Sequence, residues 1–78
     1  MLHAEQIRAA RSLLGWRQGD LAKASKVAPA TIYRLEKGAG PVMGYVSTVT
    51  RIQSALEGAG IRFFDKDSEG GIGVRLAR

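Results

Sequence analysis

Residues 17–38 read Arg-Gln-Gly-Asp-Leu-Ala-Lys-Ala-Ser-Lys-Val-Ala-Pro-Ala-Thr-Ile-Tyr-Arg-Leu-Glu-Lys-Gly. The spacing Q-x2-L-A-x4-V-x3-T-I-x2-L-E-x-G predicts two short helices joined by a tight turn. Leu21 faces inward from the first, about Gln18 to Ala24, and Ala22 is small where two helices must approach. Ser25-Lys26-Val27 is the turn, with Val27 directed to the core. The next helix occupies about 29–37. Pro29 suits its first position, where a missing N–H removes nothing that a helix would use. Ile32 and Leu35, three apart, face inward. Gly38 is expected to end the helix in a left-handed conformation. The outward side of this helix then carries Ala30, Arg34 and Lys37, flanked by Thr31 and Tyr33.

Outward from this stretch, Ile7, Ala10 and Leu14 give one apolar stripe over about Ala4 to Leu14, with Gly15 as the stop and Trp16 as an anchor in the connection. Downstream, Gly38 to Gly44 is a loop by its glycines and Pro41. A further helix is expected from Met43 or Tyr45 to Glu57, burying Val46, Val49, Ile52 and Leu56. The period then changes. Residues 61–65 and 72–76 are short alternating runs separated by turn formers, which predicts a β-hairpin. The fold class is mainly α: four to five helices in residues 1–60 followed by a C-terminal β-hairpin in 61–78 of the same domain.

The chain has 78 residues, enough for one small core. It has no cysteine, which excludes disulfides and thiolate metal sites, and its only histidine is His3. No metal or other cofactor is expected. No apolar run approaches the ~18 residues of a membrane span, and a cytoplasmic protein without a membrane partner is expected. The net charge of +5 is unevenly spread. Between Arg8 and Arg51 stand eight basic residues and two acids, so the helical part carries the excess. That suits contact with a polyanion, with a solvated basic surface as the alternative. The glycines at 38, 40 and 44 are misplaced for a dinucleotide loop, and no strand precedes them. Isolated Ser, Asp and Glu residues lack a catalytic partner at useful spacing, so no enzyme activity is expected.

Within residues 17–38 the chain resembles the Cro/cI-type, or xenobiotic-response-element, family of helix-turn-helix transcriptional regulators. The resemblance implies a helix at 29–37 laid in the major groove of double-stranded DNA. Base contact is expected from Arg34, whose planar fork matches guanine O6 and N7, and from Pro29, Ala30, Thr31 and Tyr33. Phosphate contact is expected from Gln18, Arg17, Lys37 and the backbone at Gly38. For Lys23 and Lys26 simple solvation is the preferred reading. The resemblance also implies a structural ion pair between Arg11 and Glu36 that pins the recognition helix.

Three departures from the pattern stand out. Arg17 and Ala28 occupy the usual capping positions of the second and third helices, and Lys26 replaces a turn glycine. The expected function is a small regulator acting as a homodimer on an inverted repeat, as repressor or activator, without a small-molecule ligand domain. Phe64, Val74 and Leu76 of the hairpin are candidates for the dimer contact, and a cap over the monomer core is the competing role. The alternative function is a protein-interaction module, an antitoxin or an antagonist of another regulator, on the same fold.

Overall fold

The computed structural model describes residues 1–77; Arg78, the last residue of the expected hairpin segment, lies outside the described residues. Four helices precede two strands: α1 (Ala4–Leu14), α2 (Gln18–Ser25), α3 (Pro29–Glu36), α4 (Val46–Gly58), β1 (Ile61–Phe64) and β2 (Gly73–Leu76). None of these helices is long and apolar enough to cross a membrane.

Each boundary has a local cause. Before α1, Gln6 Oε1 accepts the His3 N–H at 2.9 Å, so a side chain three residues ahead satisfies the cap position. After it, Gly15 adopts φ +70°, and the Trp16 N–H closes back on Arg11 O at 2.9 Å. At α2, Arg17 offers no capping oxygen, but Asp20 Oδ2 accepts the Arg17 N–H at 2.8 Å. Lys26 follows α2 at φ +59°, the left-handed conformation that its place in the turn demands. α3 starts on Pro29 without a side-chain cap from Ala28.

Leu2, Ile7, Ala10, Leu21, Ala22, Val27, Ile32, Leu35, Ile52, Leu56 and Ile61 form one buried cluster, with Leu14, Trp16, Val49, Phe63, Val74 and Leu76 packed against it. The sequence-predicted inward positions of α1, α2 and α3 all belong to it. The strands pair antiparallel with Ile61 opposite Leu76 and Phe63 opposite Val74, which puts those four side chains on the core face. Buried Gln6 fastens the hairpin to α1, donating from Nε2 to Phe64 O at 3.0 Å and to Gly73 O at 3.1 Å, and the Met1 ammonium adds an exposed contact to Asp65 Oδ1 at 3.1 Å.

The described residues hold four helices, within the four to five expected. Three other expectations need correction. Val46 is 82% exposed rather than buried. It is the first residue of α4, and the apolar stripe reaches the core only from Val49 onward. α3 ends at Glu36, because Lys37 is already extended at φ −72°, ψ 123°; the break thus precedes Gly38, whose φ is +103°. β2 starts at Gly73 rather than Ile72.

Candidate nucleic-acid interface

α3 is buried along one side and open along the other. Ile32 and Leu35 are 0% and 5% exposed. Pro29, Ala30, Tyr33, Arg34 and Lys37 are exposed, and Thr31 is half-buried. This split follows from the helical period: residues 32 and 35 share a face, and 30, 33 and 34 are left on the opposite arc, with exposed Lys37 following in extended backbone. Tyr33 has more than half of its surface accessible at 56%.

The rear of α3 is held by α1. Glu36 is 3% exposed and takes a two-pronged contact from Arg11, with Nε to Oε2 and Nη2 to Oε1 both at 2.7 Å. A planar guanidinium matched edge to edge with a carboxylate fixes direction as well as distance. Arg11 also donates from Nη1 to Trp16 O at 2.9 Å, which couples the α1–α2 connection to the same pair. Gln18 leans on it as well, Nε2 lying 3.4 Å from Glu36 Oε1.

Arg8 adds a second brace that sequence reading missed. One turn before Arg11, its Nη1 donates to the carbonyls of Glu36 and Gly38, the latter at 2.6 Å. These carbonyls lie at the C-terminal end of α3, where a cation is favoured by the helix dipole. The three-residue spacing of Arg8 and Arg11 places both on one face of α1, and that was the available signal.

The loop after α3 is bolted to the start of α1. The Gly40 N–H donates to Glu5 Oε1 at 3.0 Å, Gly40 O accepts the Ala4 N–H at 2.9 Å, and Leu2 O accepts the Val42 N–H at 3.0 Å. Glu5 has its carboxyl held below the usual carboxylate range, first by its own backbone N–H and then by that of Gly40. Gly38 and Gly40 are required by their positive φ values and not by crowding, since a Cβ on either would meet open space.

The structure therefore leaves Pro29, Ala30, Tyr33 and Arg34 exposed on α3, with exposed Lys37 just after its end. Gln18 is half-buried beside Glu36, Arg17 is exposed at the head of α2, and Gly38 is exposed with its carbonyl engaged by Arg8. Phe64 is 39% exposed on the outer side of the hairpin. Val74 and Leu76 instead pack on their own core. A trough of about 430 Å³ runs beside Arg34, lined by Thr31, Leu35, Gly44, Tyr45 and Thr48. Among the described residues no group of three His, Cys, Asp or Glu could hold a metal ion.

Comparison with known proteins agrees with this geometry. No curated protein and no solved structure matches the chain. Residues 7–42, which span most of α1, all of α2 and α3, and the start of the following loop, match the model of the helix-turn-helix family. Over those residues the chain is similar to the Cro/cI-type helix-turn-helix regulators, as its motif predicts.

Proposed function

We propose that this protein is a sequence-specific, cytoplasmic transcriptional regulator that inserts α3 into the major groove of duplex DNA. The observation that carries this is the exposure of Arg34 on a helix whose opposite side is locked to the scaffold by Leu35 and the Arg11–Glu36 pair. A rigidly backed arginine can present its fork to guanine O6 and N7 with little further ordering. Ala30 and the Thr31 methyl offer apolar contact to a thymine methyl, with Pro29 and Tyr33 bordering the same base edges. Arg17, Gln18, Lys37 and the Gly38 backbone contact phosphates and set the register.

Arg11 is neutralised by Glu36, so its charge is not counted among those that meet DNA, whereas Arg8 is exposed and keeps its charge while donating to backbone carbonyls. One unit covers little duplex, and a homodimer on an inverted repeat would place two α3 helices in grooves about 34 Å apart. Arg34→Ala is expected to cost about 1–3 kcal/mol of discrimination at one base pair. Equal losses on cognate and scrambled DNA would contradict base reading. Lys37→Ala is expected to lower the slope of log affinity against log salt by about one, with little change in preference.

A second reading, an antitoxin or antagonist that binds another protein, is favoured by one observation. Met43, Tyr45 and Val46 are 81%, 84% and 82% exposed in a short run next to α3, an apolar group that duplex DNA does not require. Mobility-shift titration on genomic fragments separates the two. A protein binder gives only weak, salt-sensitive association without preferred fragments.

A further inference from the structure

Among the described residues, one side of β1 has no backbone partner. The Ala77 N–H donates to Gly60 O at 2.7 Å, so residues 60 and 77 form a hydrogen-bonded pair. In an antiparallel ladder bonded and non-bonded pairs alternate. The observed register therefore makes Arg62–Arg75 and Phe64–Gly73 bonded pairs too. Ile61 and Phe63 belong to non-bonded pairs, and their N–H and C=O groups point away from β2. Along that side runs a trough of about 420 Å³, lined by Glu57, Gly60, Arg62, Phe63 and Phe64 among others. The hollow over the α1 side of β2 is smaller, about 130 Å³, and Gly73 there has no side chain for a cross-strand pair.

We propose that β1 pairs antiparallel with β1 of a second copy of this chain, about a two-fold axis at Phe63, to give a four-stranded sheet. This rests on the dimeric regulator reading and adds its partner surface and register. A two-fold axis perpendicular to the sheet keeps each face on its own side, so only registers that oppose residues of the same face are allowed. Two of these use most of β1.

Pairing centred on Arg62 sets Arg75, Arg62 and their two symmetry mates in one row across the sheet, and like charges directly opposite repel. Pairing centred on Phe63 places Arg62 opposite Phe64 of the second copy. The Phe64 ring already carries Arg75 at 5.0 Å from its centroid, so it would sit between two guanidinium groups. This register also brings Lys66 of the second copy to the Gly60 end of the trough, where Glu57 supplies the opposite charge. Charge complementarity selects the register centred on Phe63.

The chain has no cysteine, so introduced thiols report the register directly. Arg62 and Phe64 of the second copy would form a non-bonded pair with Cα atoms about 4.5 Å apart, inside the range for a disulfide. Full-length Arg62→Cys and Phe64→Cys proteins, checked for folding by circular dichroism, are mixed and oxidised without DNA. The expected result is a covalent heterodimer in the mixture and none with either variant alone. Crosslinking of Arg62→Cys by itself would overturn the register. An uncrosslinked mixture overturns the pairing, whether sedimentation of the unmodified chain shows monomer or dimer. Mobility shifts on the unmodified chain keep the two ideas apart: DNA binding without the crosslink sinks only the pairing. The crosslink without DNA binding sinks only the regulator reading.

Discussion

Removing either partner of the Arg11–Glu36 pair leaves behind a charge in a very different setting, and the two deletions are expected to differ accordingly. Glu36 is 3% exposed and Arg11 20%. Arg11→Met strands a buried carboxylate whose remaining side-chain contact is Gln18 at 3.4 Å, a case that costs about 3–5 kcal/mol. Glu36→Gln leaves a guanidinium that still donates to Trp16 O and reaches solvent. Its expected loss is about 1.5–3 kcal/mol, the range for hydrogen bonds to charged groups. A chain of this length has about 4–12 kcal/mol of net stability, so the first variant is near the unfolding threshold and the second is not.

Urea unfolding followed by circular dichroism at neutral pH measures both variants and their combination. Arg11→Met with Glu36→Gln is expected to lose less than Arg11→Met alone, because no unpaired charge remains. At about 4–8 °C per kcal/mol, the two single variants would separate by roughly 6–16 °C in melting temperature. Equal losses, or a larger loss for Glu36→Gln, would refute the assignment of the carboxylate as the member that depends on its partner.

Lys26→Gly is expected to raise stability by about 0.5–1 kcal/mol. It removes a left-handed penalty of about 1–2 kcal/mol and adds a glycine entropy cost of about 0.5–1 kcal/mol; an unchanged or lower melting temperature counts against strain in the turn. Gln6→Ala removes its two bonds to the hairpin and one to His3, for about 2–3 kcal/mol. Hydrogen exchange is expected to speed up selectively at β1 and β2, and uniform acceleration would mean that Gln6 is not a local fastener. Glu5 is held below its ordinary carboxylate range by backbone donors, so its stabilising contribution is complete above the unfolded value and is lost as pH falls through the folded one. Glu5→Gln is therefore expected to flatten the acid side of the melting-temperature profile, and a profile parallel to that of the unmodified chain would exclude the Glu5–Gly40 link as its source.

The helices were legible because each carries its own signal. Ile7, Ala10 and Leu14 show the period, Gly15 the stop, and Pro29 the start of α3. The hairpin was legible from Ile61, Phe63, Val74 and Leu76, which alternate. Val46 was misread because a stripe says which side of a helix is apolar, and not where along its axis the core begins. At the first turn of α4 the stripe has already run past the cluster around Ile52 and Leu56. The cap of α2 was half legible: Arg17 fails as a capping side chain, and Asp20 compensates from three residues later.

What the sequence concealed is the set of polar contacts that cross between elements distant in the chain. Arg8 and Arg11 look alike from sequence, two arginines three apart in a basic segment, and both read as charge available to a polyanion. Arg11 was assigned a partner only through its resemblance to a family pattern. Arg8 had none, and its target is backbone, which carries no residue-type signal at all. Gln6 is hidden for the same reason, since it meets the carbonyls of Phe64 and Gly73. These three side chains determine how the scaffold holds α3, its following loop and the hairpin relative to α1. A count of basic residues therefore does not separate their roles: Arg11 is neutralised by Glu36, while exposed Arg8 keeps its charge and braces the end of α3 through backbone carbonyls.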